Sequence, residues 1–234
     1  MIERKSVGIK YFAVLISLLR DRQGFLEEVR QGIRLPNKII SLLVCSSIFI
    51  AIYGGIIGAS HSWMQAVSSA IKLPALYLIT LLICLPTLFF SNIIFGSKRT
   101  FAQHFALVLT AIAVTSVLLF SFAPITLFFL LTTNNYQFII LLNVVIFAIT
   151  GFIGISALYQ AMNSVLEQDT EGSKTRKRIL QSWLFLYAFV GSQLGWTLRP
   201  FFGLPGSPFQ LFREREGNFY LSVIQAISYL LGIR

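Results

Sequence analysis

The sequence predicts an all-α, polytopic transmembrane helical bundle of about six spans, preceded by an N-terminal amphipathic helix at the membrane interface. Three observations predict it. Only 12% of the 234 residues are charged, against about 25% in a soluble domain, and the mean hydropathy is +0.75. From Thr100 to Leu166, 67 consecutive residues contain no Asp, Glu, Lys or Arg, whereas one helical crossing takes about 20 apolar residues. The apolar runs are continuous, which excludes a transmembrane β-barrel, whose strands alternate lipid-facing with lumen-facing residues.

Two regions follow from the composition: a cytoplasmic amphipathic arm, residues 1–37, and a transmembrane bundle, residues 38–234. In the arm, the apolar run Tyr11 to Leu19 is followed by Arg20-Asp21-Arg22. A signal peptide would place small residues there, so this end is read as mature sequence, and residues 8–19 as an interfacial helix. Phe25, Leu26, Val29 and Ile33 recur at helical spacing, with Glu27, Glu28, Arg30, Gln31 and Arg34 on the other face. That pattern predicts an amphipathic helix on the cytoplasmic surface, ending before Pro36. Its apolar stripe is a candidate docking arm for a cytoplasmic partner.

The six spans are expected at 38–59, 73–95, 102–123, 137–160, 179–198 and 218–233. Pro86 stands inside the second and is expected to kink it, and Pro124 is expected to end the third, with the apolar segment 125–131 either extending it or dipping back into the interface. Two GxxxG pairs, Gly54/Gly58 and Gly191/Gly195, put small residues on one helix face and permit close packing. Asn143 is the most deeply placed amide and needs a partner in an apolar surround.

Charge sets the orientation. With the N-terminus inside, fifteen Lys and Arg fall on the cytoplasmic side and four outside, as expected where cations are retained in cytoplasmic loops. Both termini are therefore expected in the cytoplasm, with Lys72 in an outer loop. The same rule accounts for the net charge of +10 without nucleic acid as a partner; the lipid bilayer is the partner it implies.

The loop between the fifth and sixth spans, residues 199–217, is then extracytoplasmic. It holds Arg199, Pro200, Phe201, Phe202, Pro205, Phe209 and Phe212 and closes on Arg213-Glu214-Arg215-Glu216. Too apolar to float in water, it must be seated on the bundle or at the interface, because a non-helical segment at membrane depth needs protein or a cavity around it. These residues form a candidate outer cap or gate loop, with the alternating charges marking the water boundary.

Chemistry is sparse. None of the nine acids lies inside an expected span, which argues against proton- or sodium-coupled transport, since such carriers depend on intramembrane ionisable groups. Cys45 and Cys84 form no CxxC pair and read as buried thiols. His61, beside Trp63, fits an interfacial anchor. His104, near the start of the third span, is the one candidate ligand for a pigment or metal. No nucleotide-binding, hydrolase or zinc-protease motif occurs. No catalytic residue, metal or cofactor is assigned, and the expectation is a non-enzymatic protein.

The segments FLEEVRQGIRLPNKIISLLV, IYGGIIGA and KLPALYLITLLICLPTLFFSNIIFG, within residues 25–131, resemble bacterial membrane proteins of the Yip1-like type. The segment WTLRPFFGLPGSPFQLFREREGNFY is similar to an uncharacterised bacterial set of such proteins. The resemblance implies a non-enzymatic organiser or accessory subunit of a membrane complex, with other membrane subunits as partners, in a bacterial cytoplasmic or internal membrane. It departs in span number, since Yip1-like proteins usually have five. The layout of arm, six spans and outer segment also resembles permeases of the ABC-2 type. That would imply transport with a separate cytoplasmic ATPase, because this chain has no nucleotide-binding motif.

Overall fold

The computed structural model describes residues 2–94, 99–133, 135–166, 173–203, 206, 208–212, 224 and 228. Every regular element among them is helical. In chain order these are α1 (Ile2–Arg20), α2 (Arg22–Arg30), α3 (Leu35–Ala59), α4 (Trp63–Ile94), α5 (Phe101–Thr132), α6 (Tyr136–Leu166) and α7 (Ser173–Thr197). Four helices are long and apolar enough to cross a membrane: α3, α4, α5 and, in α6, Tyr136–Asn163. The chain is an integral membrane protein on that ground. α7 covers the expected fifth span, but its first turns carry Lys174, Arg176, Lys177 and Arg178. The expected sixth span lies outside the described residues except at Ile224 and Ser228, both helical.

The ends of the helices are written in short polar signals. Asp21 caps α2, its Oδ1 accepting the Gly24 N–H at 3.0 Å. α3 opens on Leu35-Pro36, where a proline costs nothing because the first-turn N–H groups have no helical partner. Ser62 caps α4, its Oγ accepting from the Gln65 N–H at 3.2 Å. α5 starts with a reciprocal box: the Gln103 N–H donates to Thr100 Oγ1 at 3.3 Å, and the Thr100 N–H donates to Gln103 Oε1 at 2.9 Å. Asn135 Oδ1 accepts from the Phe138 N–H at 3.2 Å at the head of α6.

Two expectations are corrected here. Pro124 does not end the third helix: α5 runs through it to Thr132. A proline removes one backbone donor and crowds one turn, and the apolar residues 125–131 have no other way to satisfy their backbone in an apolar surround. Lys72 does not stand in a loop: α4 begins at Trp63 and includes it. A charge was read as a boundary, but this charge is met by the loop that follows α7, as described below.

The chain divides into two compact units. Unit 1 comprises Met1–Ser47, Leu81–Ser116 and Phe152–Ala188; unit 2 comprises Ile48–Thr80, Val117–Gly151 and Phe189–Arg234. In unit 1, α2 is fastened to three other helices. Arg22 donates to Gln160 Oε1 at 2.9 Å and to the Ala157 carbonyl, both on α6. Lys38 of α3 pairs with Glu28 and lies 4.7 Å from the Phe25 ring centroid. Gln103 of α5 donates to the Arg30 carbonyl at 2.7 Å. Trp183 Nε1 of α7 donates to the Cys84 carbonyl of α4 at 2.8 Å.

In unit 2 the first GxxxG pair brings two helices together. A Cβ on Gly54 would stand 2.4 Å from the Ser69 carbonyl oxygen, and one on Gly58 the same distance from that of Gln65. Only glycine permits that approach of α3 to α4. Asn143 finds its partner in the same unit: Tyr53 Oη donates to Asn143 Oδ1 at 2.7 Å and lies 3.2 Å from Thr126 Oγ1. The Asn143 amide nitrogen donates to the Ile139 carbonyl at 2.9 Å. A three-helix polar knot thus ties α3, α5 and α6.

Candidate functional site

A helix turns about 100° per residue, so positions spaced by three or four share a face. Gln65, Ser69 and Lys72 of α4 have that spacing in a mostly apolar helix, and all three are buried. They grip the main chain of the loop that follows α7. Gln65 Nε2 donates to the Pro200 carbonyl at 2.8 Å, the Phe201 carbonyl at 3.3 Å and Ser69 Oγ at 3.2 Å. Ser69 Oγ donates to the Phe201 carbonyl at 2.6 Å. Lys72 Nζ donates to the Leu211 carbonyl and lies 4.7 Å from the Phe212 ring centroid. Buried polar groups in a membrane protein must be mutually satisfied, and the row on α4 and the carbonyls of the loop satisfy one another.

Other loop contacts reinforce this seat. Gly203 is buried against the His61 ring; a Cβ there would coincide with ring atoms. The Arg199 guanidinium carbon lies 3.5 Å from the Trp196 ring centroid, a close cation–π stack. The Arg199–Pro200 peptide is cis. Of the loop phenylalanines, Phe201, Phe202 and Phe209 are half-buried, while Phe212 is 59% exposed. Pro205, Arg213, Glu214, Arg215 and Glu216 lie outside the described residues.

Lys72 is a cation only 6% exposed. The ion pairs among the described residues are Arg30–Glu27 and Lys38–Glu28, so its hydrogen bond goes to a carbonyl dipole and its charge to a π face. That is a cheaply broken arrangement compared with a buried salt bridge, because releasing it leaves no orphaned carboxylate. Gln65 Oε1 and Ser68 Oγ lie buried beside it without a hydrogen-bond partner among the described residues.

The arm residues Phe25, Leu26 and Val29 are turned into unit 1, while Ile33, in the turn after α2, is 42% exposed. The outward part of α2 is therefore polar. Glu27 accepts from Arg30 and from Gln31, the latter at 2.7 Å. The bond from Arg30, then that from Gln31, holds its carboxyl below the ordinary glutamate range.

His104 is fully buried. Its Nδ1 donates to the Thr100 carbonyl at 3.1 Å, its ring meets Phe89 edge-on at 5.6 Å, and its Nε2 has no hydrogen-bond partner among the described residues. Cys45 and Cys84 are buried free thiols. Among the described residues no three His, Cys, Asp or Glu gather as a metal site.

Sequence reasoning placed Arg199–Phe212 as a seated loop but missed the seat. The signal was the polar row Gln65, Ser69, Lys72, hidden because Lys72 was taken to mark the end of a loop. No protein-family model, curated protein or solved structure matches this chain.

Proposed function

We propose that this chain is a non-enzymatic integral membrane protein acting as an organiser or accessory subunit of a membrane complex. The observation that carries the reading is the fastening of α2. Arg22, Lys38 and Gln103 fix it to α6, α3 and α5, while Glu27, Arg30 and Gln31 remain on its accessible side. A rigidly held polar helix costs a partner little ordering entropy on binding. The Yip1-like resemblance supports the same reading. Six spans, both termini in the cytoplasm and loop 199–217 outside complete the proposal, supported by the distribution of Lys and Arg. The host is a bacterial cytoplasmic or internal membrane.

A specific observation favours a second reading, an ABC-2-like permease working with a separate ATPase. It is the seat of the loop on Lys72: a segment held by a carbonyl and a π face suits a gate that opens, and a buried cation in a membrane helix is a functional-site candidate on its own.

Affinity purification in a mild detergent, followed by mass spectrometry of stoichiometric partners, decides between them. An integral membrane complex without an ATPase supports the organiser or accessory subunit. A reproducible cytoplasmic ATPase moves the assignment to the permease. Labelling Ser173→Cys and Gln210→Cys in intact cells, with Cys45 and Cys84 replaced, tests the topology; reaction of position 173 from outside would overturn it.

A further inference from the structure

Lys72 and Ser68 stand one turn apart on α4, and together they hold more hydrogen-bonding capacity than the protein uses. An ammonium has three N–H groups. Lys72 Nζ gives one to the Leu211 carbonyl, sets its charge against the Phe212 ring and meets no carboxylate among the described residues. The Ser68 hydroxyl is on a residue 7% exposed and has no partner among them. Side chains on a helix lean toward its N-terminus, so Nζ lies back over the turn that carries Ser68. One turn further back is Gln65, whose Oε1 is also buried without a partner. Unpartnered buried polar groups are costly. An oxyanion that also carries a hydroxyl would complete all three, with Lys72 and Ser68 as donors and Gln65 Oε1 as acceptor.

We propose that Lys72 and Ser68 form a binding site for the phosphate of an anionic phospholipid, which takes the place of the Leu211 carbonyl and the Phe212 ring. An ionised acceptor makes a stronger hydrogen bond to an ammonium than a neutral carbonyl does. The cover is light: Leu211 and Phe212 are themselves exposed, so lifting them uncovers little buried surface. Three features identify lipid as the occupant. At about 100° per residue, the order round α4 is Gln65, Lys72, Ser68, Met64, Ile71, Val67, and the last three are exposed and apolar. At Ser68 the polar row thus passes into a strip suited to acyl chains. α3 and α4 are both candidate spans and only a short turn parts them, so the head of α4, toward which Nζ leans, stands at a bilayer surface. Lys72 has no acid beside it among the described residues to receive the ammonium of a zwitterionic headgroup, which favours a headgroup of net negative charge. Such a site serves an accessory subunit or a permease equally.

The test uses the full chain in two measurements. Native mass spectrometry of protein equilibrated with equal phosphatidylglycerol and phosphatidylcholine reads the lipid retained. Lys72→Met should hold about fivefold less phosphatidylglycerol than the parent, the attraction of one cation for an anionic headgroup. Lys72→Arg should hold as much as the parent, and Ser68→Ala less. Ser68→Ala keeps the comparison decisive where Lys72→Met does not fold. In nanodiscs, with Cys45 and Cys84 replaced, maleimide should react faster at Phe209→Cys in phosphatidylglycerol than in phosphatidylcholine, and Lys72→Met should abolish that lipid dependence. Equal retention of phosphatidylglycerol by the parent and both the Lys72→Met and Ser68→Ala variants, or one labelling rate in both lipids, would overturn the lipid site. Inorganic phosphate added to phosphatidylcholine discs separates the sources: acceleration by it, with none by phosphatidylglycerol, would assign the site to a free oxyanion and overturn the lipid. Both leaflets of a disc are alike, so failure here is distinct from failure of the orientation, which the labelling in cells reads.

Discussion

Lys72 Nζ donates its hydrogen bond to the main-chain carbonyl of Leu211, 139 residues further along the chain. A helix side chain thereby fixes the backbone of a loop whose own side chains vary in burial. The bond links the one cation buried in unit 2 among the described residues to the segment that sequence reasoning singled out for its prolines and phenylalanines.

Lys72→Met keeps the length of the side chain and removes its charge. The loop should then lose one of its points of attachment, since Gln65 and Ser69 still hold Pro200 and Phe201. The expected outcome is a faster maleimide reaction at Phe209→Cys, with thermal stability changed by no more than about 1 kcal/mol, because an apolar replacement of a buried charge is often neutral. An unchanged labelling rate would show that Lys72 does not hold the loop.

Gly58→Ala should be severely destabilising. Its Cβ would meet the Gln65 carbonyl and the Ala66 Cα at 2.4 and 2.8 Å, both backbone atoms that cannot step aside. Overpacking of this kind costs about 1–3 kcal/mol or more. Gly191→Ala is the contrast: its Cβ would sit 3.7 Å from Thr80 Cγ2, and alanine favours the helix by about 0.5–1 kcal/mol. Melting temperatures in one detergent should fall for the first and hold or rise for the second, although both glycines come from GxxxG pairs.

That contrast shows what the sequence could and could not disclose. Helix existence was legible from long uncharged runs, and capping signals such as Thr100–Gln103 were available at several ends. The need of Asn143 for a partner was legible too, because an amide deep in an apolar helix must be satisfied. Which GxxxG pair packs tightly was not, since the pattern specifies small residues and not the neighbour that approaches them. Nor was the identity of the partner of Asn143, because Tyr53 is 90 residues away and its ring looks like ordinary core. Lys72 failed for a different reason: charge counting treats every cation as a boundary, whereas this one is met by a carbonyl and a ring far off in sequence. In α2 the spacing of Phe25, Leu26 and Val29 was visible, but the medium on the apolar side, protein in place of lipid, depends on tertiary packing.

Tyr53 and Asn143 should be coupled. Tyr53→Phe removes the donor to Asn143 Oδ1, Asn143→Leu removes the acceptor, and the double variant removes both. Hydrogen bonds inside membrane proteins show coupling of about 0.6 kcal/mol on average and up to about 1.7. The full burial of Tyr53 and near-complete burial of Asn143 put this pair in the upper part of that range. Additive single variants, measured by unfolding in mixed micelles, would show that water or Thr126 takes over the bond.

The arm should loosen in acid through Glu27. Hydrogen bonds from Arg30 and Gln31 depress its folded-state pKa, so the unfolded chain binds the proton more readily. Stability from this group is fully present above the unfolded value of about 4.3 and is lost as pH falls through the lower folded value. Glu27→Gln should therefore differ from the parent protein at pH 7 and converge with it in strong acid. The change is confined to the Arg30 and Gln31 contacts, since Lys38 is held by Glu28. Hydrogen exchange of α2 amides across an acid series, corrected for intrinsic rates, reads it directly. A constant difference between the two proteins down to the lowest pH would show that the Glu27 charge does not stabilise the arm.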